Sequence, residues 1–257
     1  MPLRFSANIS MLFQELPFLE RIAAAARAGF DAVECHFPYD TPPGEVVARL
    51  RDSGLVMNGI NTPPGDLGTF GLAAQPGAEA AFARALDDAL AYAQAVGAQT
   101  IHCMSGVTPP ERRAAARDVF LGNMARAAPL ARAAGVTLLL EPINRYDRPD
   151  YFISRSDEAA DLLRTIDDSA VKMMFDVYHV QIMEGDVLRR MERFWPLIGH
   201  FQFASVPERA EPDLGELRMS AIFEAIARGG WDGFVGAEYR PRGATLDGLG
   251  WLADARR

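Results

Sequence analysis

The feature that most constrains the fold is a regular alternation of short apolar runs with longer amphipathic stretches along all 257 residues. Eight runs rich in apolar and β-branched residues predict strands at 3–9, 32–37, 56–61, 100–105, 136–141, 171–176, 200–204 and 234–238. Between them, apolar residues recur at intervals of three and four and predict helices, for example at 18–28, 79–96, 114–134 and 157–166. Alternating strands and helices predict a parallel sheet.

The number of predicted strands and the chain length favour a closed barrel. A chain of 257 residues falls in the range in which a (β/α)8 barrel folds as one domain. No Pro/Ser-rich linker or shift in composition divides the sequence. A doubly wound sheet is the alternative, but no glycine-rich phosphate-binding turn follows the first predicted strand. We therefore predict an α/β protein with a single TIM-barrel domain over residues 1–257.

Glycines and long loops mark the boundaries between these elements. The longest irregular segment, 62–77, follows the third predicted strand and is either a lid over a site or a surface excursion. A second loop, 206–215, follows the seventh strand. In a barrel both loops lie on the face where active sites are built. Five glycines that follow helical stretches are predicted to end helices: Gly29, Gly54, Gly97, Gly135 and Gly229.

The composition argues against several classes of function. A net charge of −8 and an isoelectric point near 5.1 do not suit a nucleic-acid surface, so a small-molecule partner is expected. With no membrane-length apolar run and no secretory signal, a soluble cytoplasmic protein is expected. Cys35 and Cys103 are too few for a disulfide framework. The G-x-S-x-G, P-loop and H-E-x-x-H motifs are absent, which argues against the chemistry they support.

Four polar residues lie at the ends of the last four predicted strands. They are Glu141, Asp176, Gln202 and Glu238, separated by 35, 26 and 36 residues. Each interval is close to one strand plus one helix, so a barrel would bring all four together. A buried carboxylate is costly without a cation or several donors. One such residue is weak evidence, but four at consecutive strand ends predict an oxygen-lined metal site.

The ligand types narrow the choice of metal. Carboxylates and an amide oxygen, with no thiolate, suit a hard divalent cation such as Mg²⁺ or Mn²⁺. Two glutamates on opposite sides of the site could divide the acid and base roles of a proton transfer, with the metal stabilising an enediolate oxygen. The same residues would then bind the cation and react.

Further candidates lie near these strand ends. His179, three residues after Asp176, either hydrogen-bonds a substrate oxygen or caps the following helix. Arg209, in the loop after the seventh strand, is either a clamp for a substrate carboxylate or a surface arginine. His200 precedes Gln202 by two residues, so we expect it to lie one layer deeper in the barrel. The two remaining histidines, at positions 36 and 102, are expected to be structural.

Several motifs resemble those of one known family, the hydroxypyruvate isomerases of the xylose isomerase-like TIM barrels. They are "RFSANISMLF", "GFDAVECHFPYD", "NTPPGD", "EPINRYD", "FDVYHVQIMEGD", "GHFQFASVPERAEPDLGEL" and "GFVGAEYRPRG", which together span nearly the whole chain. The 2-oxotetronate isomerases are close relatives of this family, and the sugar 3-epimerases are more distant ones.

The resemblance implies a role for each matching position. It implies that Glu141 and Glu238 act as the catalytic acid and base while also holding the cation with Asp176 and Gln202. The 3-epimerases usually have a histidine where this chain has Gln202, so the amide favours the isomerase branch. Substrate contacts are implied for five residues: His179, Arg209, Asn8, Glu34 and Asn61.

The implied reaction interconverts hydroxypyruvate and 2-hydroxy-3-oxopropanoate (tartronate semialdehyde). The alternatives are the same isomerisation of 2-oxotetronate and, more distantly, 3-epimerisation of a ketose. The two acids differ by one hydroxymethylene group, and a pocket distinguishes such neighbours by only about 1–3 kcal/mol. The sequence therefore leaves the substrate length open. It also leaves open which metal is native and which glutamate is the base in the forward direction. The oligomeric state is open as well, and a homo-oligomer is one possibility.

Overall fold

The computed structural model of the protein describes residues 2–66 and 68–256. Its centre is a barrel of eight parallel strands in chain order, closed by pairing of the first strand with the last. This closure confirms the predicted (β/α)8 barrel and excludes the doubly wound sheet. The strands are β1 (Arg4–Asn8), β2 (Ala32–Glu34), β3 (Val56–Asn61), β4 (Thr100–His102), β5 (Thr137–Leu140), β6 (Val171–Asp176), β7 (Ile198–Phe203) and β8 (Phe234–Ala237).

Amphipathic helices cover the outside of the barrel and bury their apolar faces against it. They are α1 (Phe18–Ala28), α2 (Pro43–Ser53), α3 (Glu79–Val96), α4 (Arg113–Ala134), α5 (Ser156–Ile166), α6 (Val177–Met183), α7 (Val187–Phe194), α8 (Met219–Arg228) and α9 (Gly250–Asp254). The bounds of α1 and α3 are those predicted, and α4 and α5 each begin one residue earlier than predicted. No helix within the described residues is both long and apolar enough to cross a membrane.

Five strands are shorter than predicted: β1, β5 and β8 by one or two residues, and β2 and β4 by three. β2 ends at Glu34 instead of residue 37, and β4 ends at His102 instead of residue 105. The register between β2 and β3 shifts between Val33 and Glu34, so the regular ladder stops there. The apolar residues that continue each run therefore belong to the connections at the C-terminal end of the barrel, where the candidate site lies.

Four of the five glycines predicted to end helices have left-handed backbone angles: Gly29, Gly54, Gly97 and Gly135. Gly229 also ends its helix as predicted, since α8 stops at Arg228 and Gly229 caps it with a φ of −68°, while Gly230 takes the left-handed conformation with a φ of 77°. Gly229 is needed for a different reason. A Cβ at this position would lie 2.3 Å from the ring of Trp195, so only glycine lets the chain pack this closely.

The apolar core lies between the barrel and the helices. Phe5 of β1, Phe203 of β7, Phe223 of α8 and Trp251 of α9 pack edge to face with ring centroids 4.9 to 5.3 Å apart. Such aromatic pairs contribute beyond the area they bury. Because these apolar groups pack outside the strands, the inside of the barrel is free for polar side chains towards its C-terminal end.

Candidate active site

The four predicted site residues lie together at the C-terminal ends of adjacent strands. Glu141 follows β5, Asp176 closes β6, Gln202 lies in β7 and Glu238 follows β8. Asp176 pairs in register with Gln202. Each of the four residues is at most 6% exposed. We call Glu141, Asp176, Gln202 and Glu238 the open layer, and two of its members, Glu141 and Glu238, border the cavity described below.

Three members of the open layer have an oxygen that no hydrogen bond satisfies. Among the described residues, Glu141 Oε1, Asp176 Oδ2 and Gln202 Oε1 are buried without a hydrogen-bond partner. An unsatisfied buried polar group costs about 1–3 kcal/mol, and more when it is charged. Glu141, Asp176 and His179 also offer atoms that lie within 4.8 Å of one another. This oxygen-rich donor set fits a hard divalent cation.

The protonation of two of these carboxylates also fits a cation site. Burial, together with the charges of Glu238 and Asp176, raises the pKa of Glu141 well above its usual range. Burial and the charge of Glu238 raise the pKa of Asp176 to about 7. Like charges in a buried space resist ionisation, and a divalent cation would relieve that repulsion.

Glu238 differs from Glu141 and Asp176 because both of its carboxylate oxygens have partners in the protein. Its Oε1 accepts a hydrogen bond from Asn8 Nδ2 at 2.8 Å and lies 2.9 Å from His36 Nε2, while its Oε2 accepts one from Arg209 Nη2 at 2.5 Å. Burial alone would raise the pKa of Glu238. The Arg209 charge and the His36 hydrogen bond outweigh burial, so this pKa lies below its usual range. The pKa values of Glu141 and Glu238 are therefore shifted in opposite directions.

The hydrogen-bond network fixes the tautomer of His179. The Asn144 Oδ1 accepts from two backbone N–H groups of its own loop, so its Nδ2 donates to His179 Nδ1, at 2.7 Å. Burial lowers the pKa of His179 well below its usual value, so the ring is neutral. Its proton is therefore on Nε2, which lies 3.4 Å from Glu141 Oε1 and 3.6 Å from Asp176 Oδ2. His179 is a hydrogen-bond donor facing the site.

A second group of polar side chains lies beneath the open layer. Glu34 accepts hydrogen bonds from Ser6 Oγ at 2.5 Å and Asn58 Nδ2 at 3.2 Å, and its Oε2 lies 3.0 Å from His200 Nε2. We call Ser6, Glu34, Asn58 and His200 the closed layer. Glu34 also accepts from Gln202 Nε2 at 2.7 Å, which turns the amide oxygen of Gln202 away from Glu34.

The resemblance implies that Glu34 and Asn8 contact the substrate. Neither residue borders the main cavity. Glu34 lies in the closed layer, and the side-chain amide of Asn8 donates a hydrogen bond to Glu238. Both instead border a void of only about 10 Å³ below the open layer. Asn61 does line the main cavity. His200 lies in the deeper layer, as predicted.

The main cavity has a volume of about 190 Å³ and opens above Glu141 and Glu238. Sequence reasoning treated His36 and His102 as structural, yet both line it. His102 Nδ1 lies 3.4 Å from Glu141 Oε2, and burial lowers the pKa of His102 to about 4. His36 lies two residues after Glu34, and strand periodicity places residues two apart on the same side of the chain. That spacing was an available signal for His36.

The loop that contains Arg209 lies on the C-terminal face, as predicted. Arg209 Nη1 lies 3.1 Å from Asp147 Oδ2 and Nη2 lies 2.5 Å from Glu238 Oε2. The guanidinium also lies 4.9 Å from the ring centroid of Tyr178. Arg209 therefore lines the cavity with both terminal nitrogens bound to carboxylates of the chain itself.

The long loop after β3 is more than a surface excursion. Phe70 from this loop lines the cavity, and its neighbours bond to the chain that follows β4. A larger groove of about 720 Å³ lies outside the barrel beside α8 and α9. That groove contains none of the open-layer residues, so the smaller cavity is the candidate active site.

Comparison with known proteins identifies the family. Residues 22–255 match the family described as xylose isomerase-like TIM barrel, and the chain belongs to that family. It is 48% identical over 252 residues to the 2-oxo-tetronate isomerase of Cupriavidus necator, with 97% of each chain covered. It is 37% identical over 253 residues to the hydroxypyruvate isomerase of Escherichia coli, covering 97% of this chain and 98% of the relative. The protein is an enzyme of the isomerase class.

A solved structure agrees closely with this fold. The crystal structure of a Brucella melitensis protein named as an AP endonuclease of family 2 superposes with a TM-score of 0.97. The two chains are 42% identical, and the match covers 100% of each. The barrel and its connecting loops are therefore shared over their full length.

Proposed function

We propose that the protein interconverts hydroxypyruvate and 2-hydroxy-3-oxopropanoate by cation-assisted proton transfer through an enediolate. The observation that carries this proposal is the open layer, in which three unsatisfied buried oxygens lie beside two glutamates of unequal pKa. The family membership and the isomerase names of the relatives support the same class of reaction.

In the proposed site Glu141, Asp176, Gln202 and Glu238 would hold Mg²⁺ or Mn²⁺ through oxygen atoms. When bound, the cation would supply Lewis-acid stabilisation of negative charge on substrate oxygens. The unsatisfied oxygens of three of these residues support this assignment. Glu238 accepts a hydrogen bond from Arg209, and binding the cation would weaken that hydrogen bond.

Proton transfer is assigned to the two glutamates. One takes a proton from C3 of hydroxypyruvate and the other returns a proton to C2, while the C3 hydroxyl proton passes to the C2 oxygen. His179 donates its Nε2 proton to a substrate oxygen, which its neutral tautomer supports. Proton transfer by positioned side chains contributes about 10²–10⁴-fold to rate.

The same site could act on 2-oxotetronate, which is one hydroxymethylene group longer. The 48% identity to the Cupriavidus necator enzyme favours this alternative. Epimerisation of a neutral ketose is a third candidate, and Gln202 in place of the histidine usual in the 3-epimerases argues against it. An endonuclease activity is disfavoured by the net charge of −8, since a nucleic-acid surface is basic.

Solvent exchange tests the proposed reaction directly. The protein with Mg²⁺ or Mn²⁺ in deuterated water should exchange the C3 proton of hydroxypyruvate and form the aldehyde isomer. The same assay with 2-oxotetronate, fructose and tagatose separates the three candidates, and a chelator should abolish exchange. Exchange only on 2-oxotetronate would select the longer acid. Epimerisation of a ketose without exchange on either acid would refute the isomerase assignment.

A further inference from the structure

Three arginines surround the candidate cavity of a chain that is acidic overall. Arg148, Arg209 and Arg240 all line it, alongside Glu141 and Glu238. Arg148 and Arg240 also line the adjoining space at its mouth. The cavity of a protein with a net charge of −8 therefore has three guanidinium groups in its lining.

Two of these arginines are not neutralised by the protein. Arg209 forms ion pairs with Asp147 and Glu238. Within the described part of the chain, no carboxylate forms an ion pair with Arg148 or Arg240 at 4.0 Å or less. Arg148 Nη1 donates only to the backbone oxygen of its neighbour Asp147, at 2.7 Å. The guanidinium groups of Arg148 and Arg240 are therefore able to bind an anion at the cavity.

Phe70 holds Arg148 in this position. The Arg148 guanidinium carbon lies 3.6 Å from the centroid of the Phe70 ring, a close cation–π stack. Phe70 has a φ of 51°, a left-handed conformation that costs a non-glycine residue about 1–3 kcal/mol. Backbone hydrogen bonds hold the residues on both sides of Phe70. Gly71 N donates to Pro64 O at 2.7 Å, and Val107 N donates to Thr69 O at 2.8 Å.

The charges around Arg148 favour a bound anion. Burial lowers the pKa of Arg148, and the charges of Arg209 and Arg240 act in the same direction while that of Asp147 opposes them. A carboxylate bound beside Arg148 would relieve its repulsion from the two other guanidinium groups.

We propose that Arg148 and Arg240 form the subsite for the substrate carboxylate and select 2-oxo acids over neutral ketoses of the same length. This inference rests on the proposed function and names the residues behind its substrate class. Arg148 supplies a planar pair of donors to the carboxylate, and Phe70 keeps that plane aligned. Arg209 is left to act on Glu238.

Dihydroxyacetone provides the matched neutral substrate, because it replaces the carboxylate of hydroxypyruvate with a hydroxymethyl group. Loss of a hydrogen bond to a charged group costs about 1.5–3 kcal/mol, or roughly 10- to 100-fold. Arg148→Ala should therefore raise KM for hydroxypyruvate by that factor and change KM for dihydroxyacetone much less. Arg148→Lys should recover part of the loss, and Phe70→Leu should raise KM less than Arg148→Ala. Arg189→Ala, at an exposed site, is the control.

A binding measurement without turnover separates this inference from the proposed reaction. Calorimetry with pyruvate and the Mn²⁺-loaded protein should show the same 10- to 100-fold weakening in Arg148→Ala. Pyruvate binding that depends on Arg148 in a protein that turns over no tested acid would support the subsite and refute the reaction. Normal turnover of hydroxypyruvate with unchanged KM and pyruvate affinity in Arg148→Ala would overturn the subsite alone. Equal losses on both substrates, or no pyruvate binding by the unmodified protein, would also overturn it.

Discussion

The closed and open layers contain similar buried polar groups but differ in how completely these groups are hydrogen-bonded. In the closed layer, both Glu34 oxygens are engaged, by Ser6, Asn58, His200 and Gln202. In the open layer, Glu141, Asp176 and Gln202 each have a buried oxygen without a hydrogen bond. The two layers are adjacent in the same barrel, so burial alone does not explain the difference.

The difference separates a layer that the protein's own donors stabilise from one that they do not. The carboxylate of Glu34 is stabilised by protein donors, and its pKa is lowered because His200 and the hydrogen bonds outweigh burial. One oxygen of each of the carboxylates of Glu141 and Asp176 lacks a donor, and their pKa values are raised. Gln202 connects the layers, because its amide nitrogen bonds to Glu34 while its oxygen faces the open layer.

The largest expected effect is on turnover in the open layer. Glu141→Gln and Glu238→Gln remove the acid and base but retain an amide oxygen, so kcat should fall by about 10²–10⁴-fold while the fold persists. Glu34→Gln is the matched change in the closed layer and should lower kcat less. Initial rates on the acid whose C3 proton exchanges measure kcat, and circular dichroism measures whether the fold persists. Glu224→Gln on α8 is an exposed control. A Glu238→Gln variant with near-normal kcat would rule out its assigned role.

The second effect is on stability in the closed layer. Glu34→Ala removes the acceptor for four buried donors, and breaking a buried charged pair costs about 3–5 kcal/mol. Chemical denaturation should show this loss with or without metal. Gln202 would also lose its orienting bond, so Mn²⁺ affinity should fall by about 10–100-fold, as for other residues that orient ligands. Unchanged denaturation midpoint and Mn²⁺ affinity would mean that the closed layer supports neither the fold nor the site.

The fold and the open layer could be predicted from sequence because both follow from strand and helix periodicity. Glu141, Asp176, Gln202 and Glu238 end strands at nearly regular intervals, so their convergence follows from the barrel. The donors around Glu34 and the contact of His36 with Glu238 could not be predicted in this way, although periodicity places His36 on the same side of the chain as Glu34. They depend on where β2 stops and on which donors face it across the barrel, which only three-dimensional packing determines.

The same limit applies to the rim of the cavity. Arg148 and Phe70 lie in loops far apart in sequence, and their stack has no periodic signal. Arg240 had a weaker signal, since it follows Glu238 by two residues and so lies on the same side of an extended chain. Strand-end patterns therefore predict the base of such a site better than its rim.

A third, smaller effect tests the space between the layers. A Cβ at Gly236 would lie 2.6 Å from Glu34 Oε1 and 2.9 Å from Gln202 Cγ. Gly236→Ala should destabilise the protein by about 1–3 kcal/mol, as overpacking does, and should weaken Mn²⁺ binding by displacing Gln202. Gly122→Ala on α4 is the matched control, since nothing lies within 4 Å of its added Cβ and helix propensity favours alanine. Equal stability of the two variants would show that the layers have room to separate.

The smallest effect is the response of the metal-free protein to pH. The pKa of Asp176 is raised to about 7 in the folded state, whereas an unfolded aspartate titrates near 3.9. From about pH 4 to 7 the folded state therefore binds more protons than the unfolded state, so this contribution to stability falls as pH rises and levels off above about pH 8.

Between pH 6.5 and 8.0 this contribution is about 1 kcal/mol, or a decrease in Tm of about 2–4 °C in the presence of a chelator. Asp176→Asn should remove it, so the difference in Tm between variant and parent should grow with pH in the variant's favour. Groups that titrate alike in both proteins cancel in this difference in Tm, so it reports the contribution of Asp176. Mn²⁺ should abolish the pH dependence of the parent by stabilising the ionised carboxylate. A Tm difference that is constant with pH would mean that Asp176 is already stabilised without a cation, and the contrast between the two layers would fail.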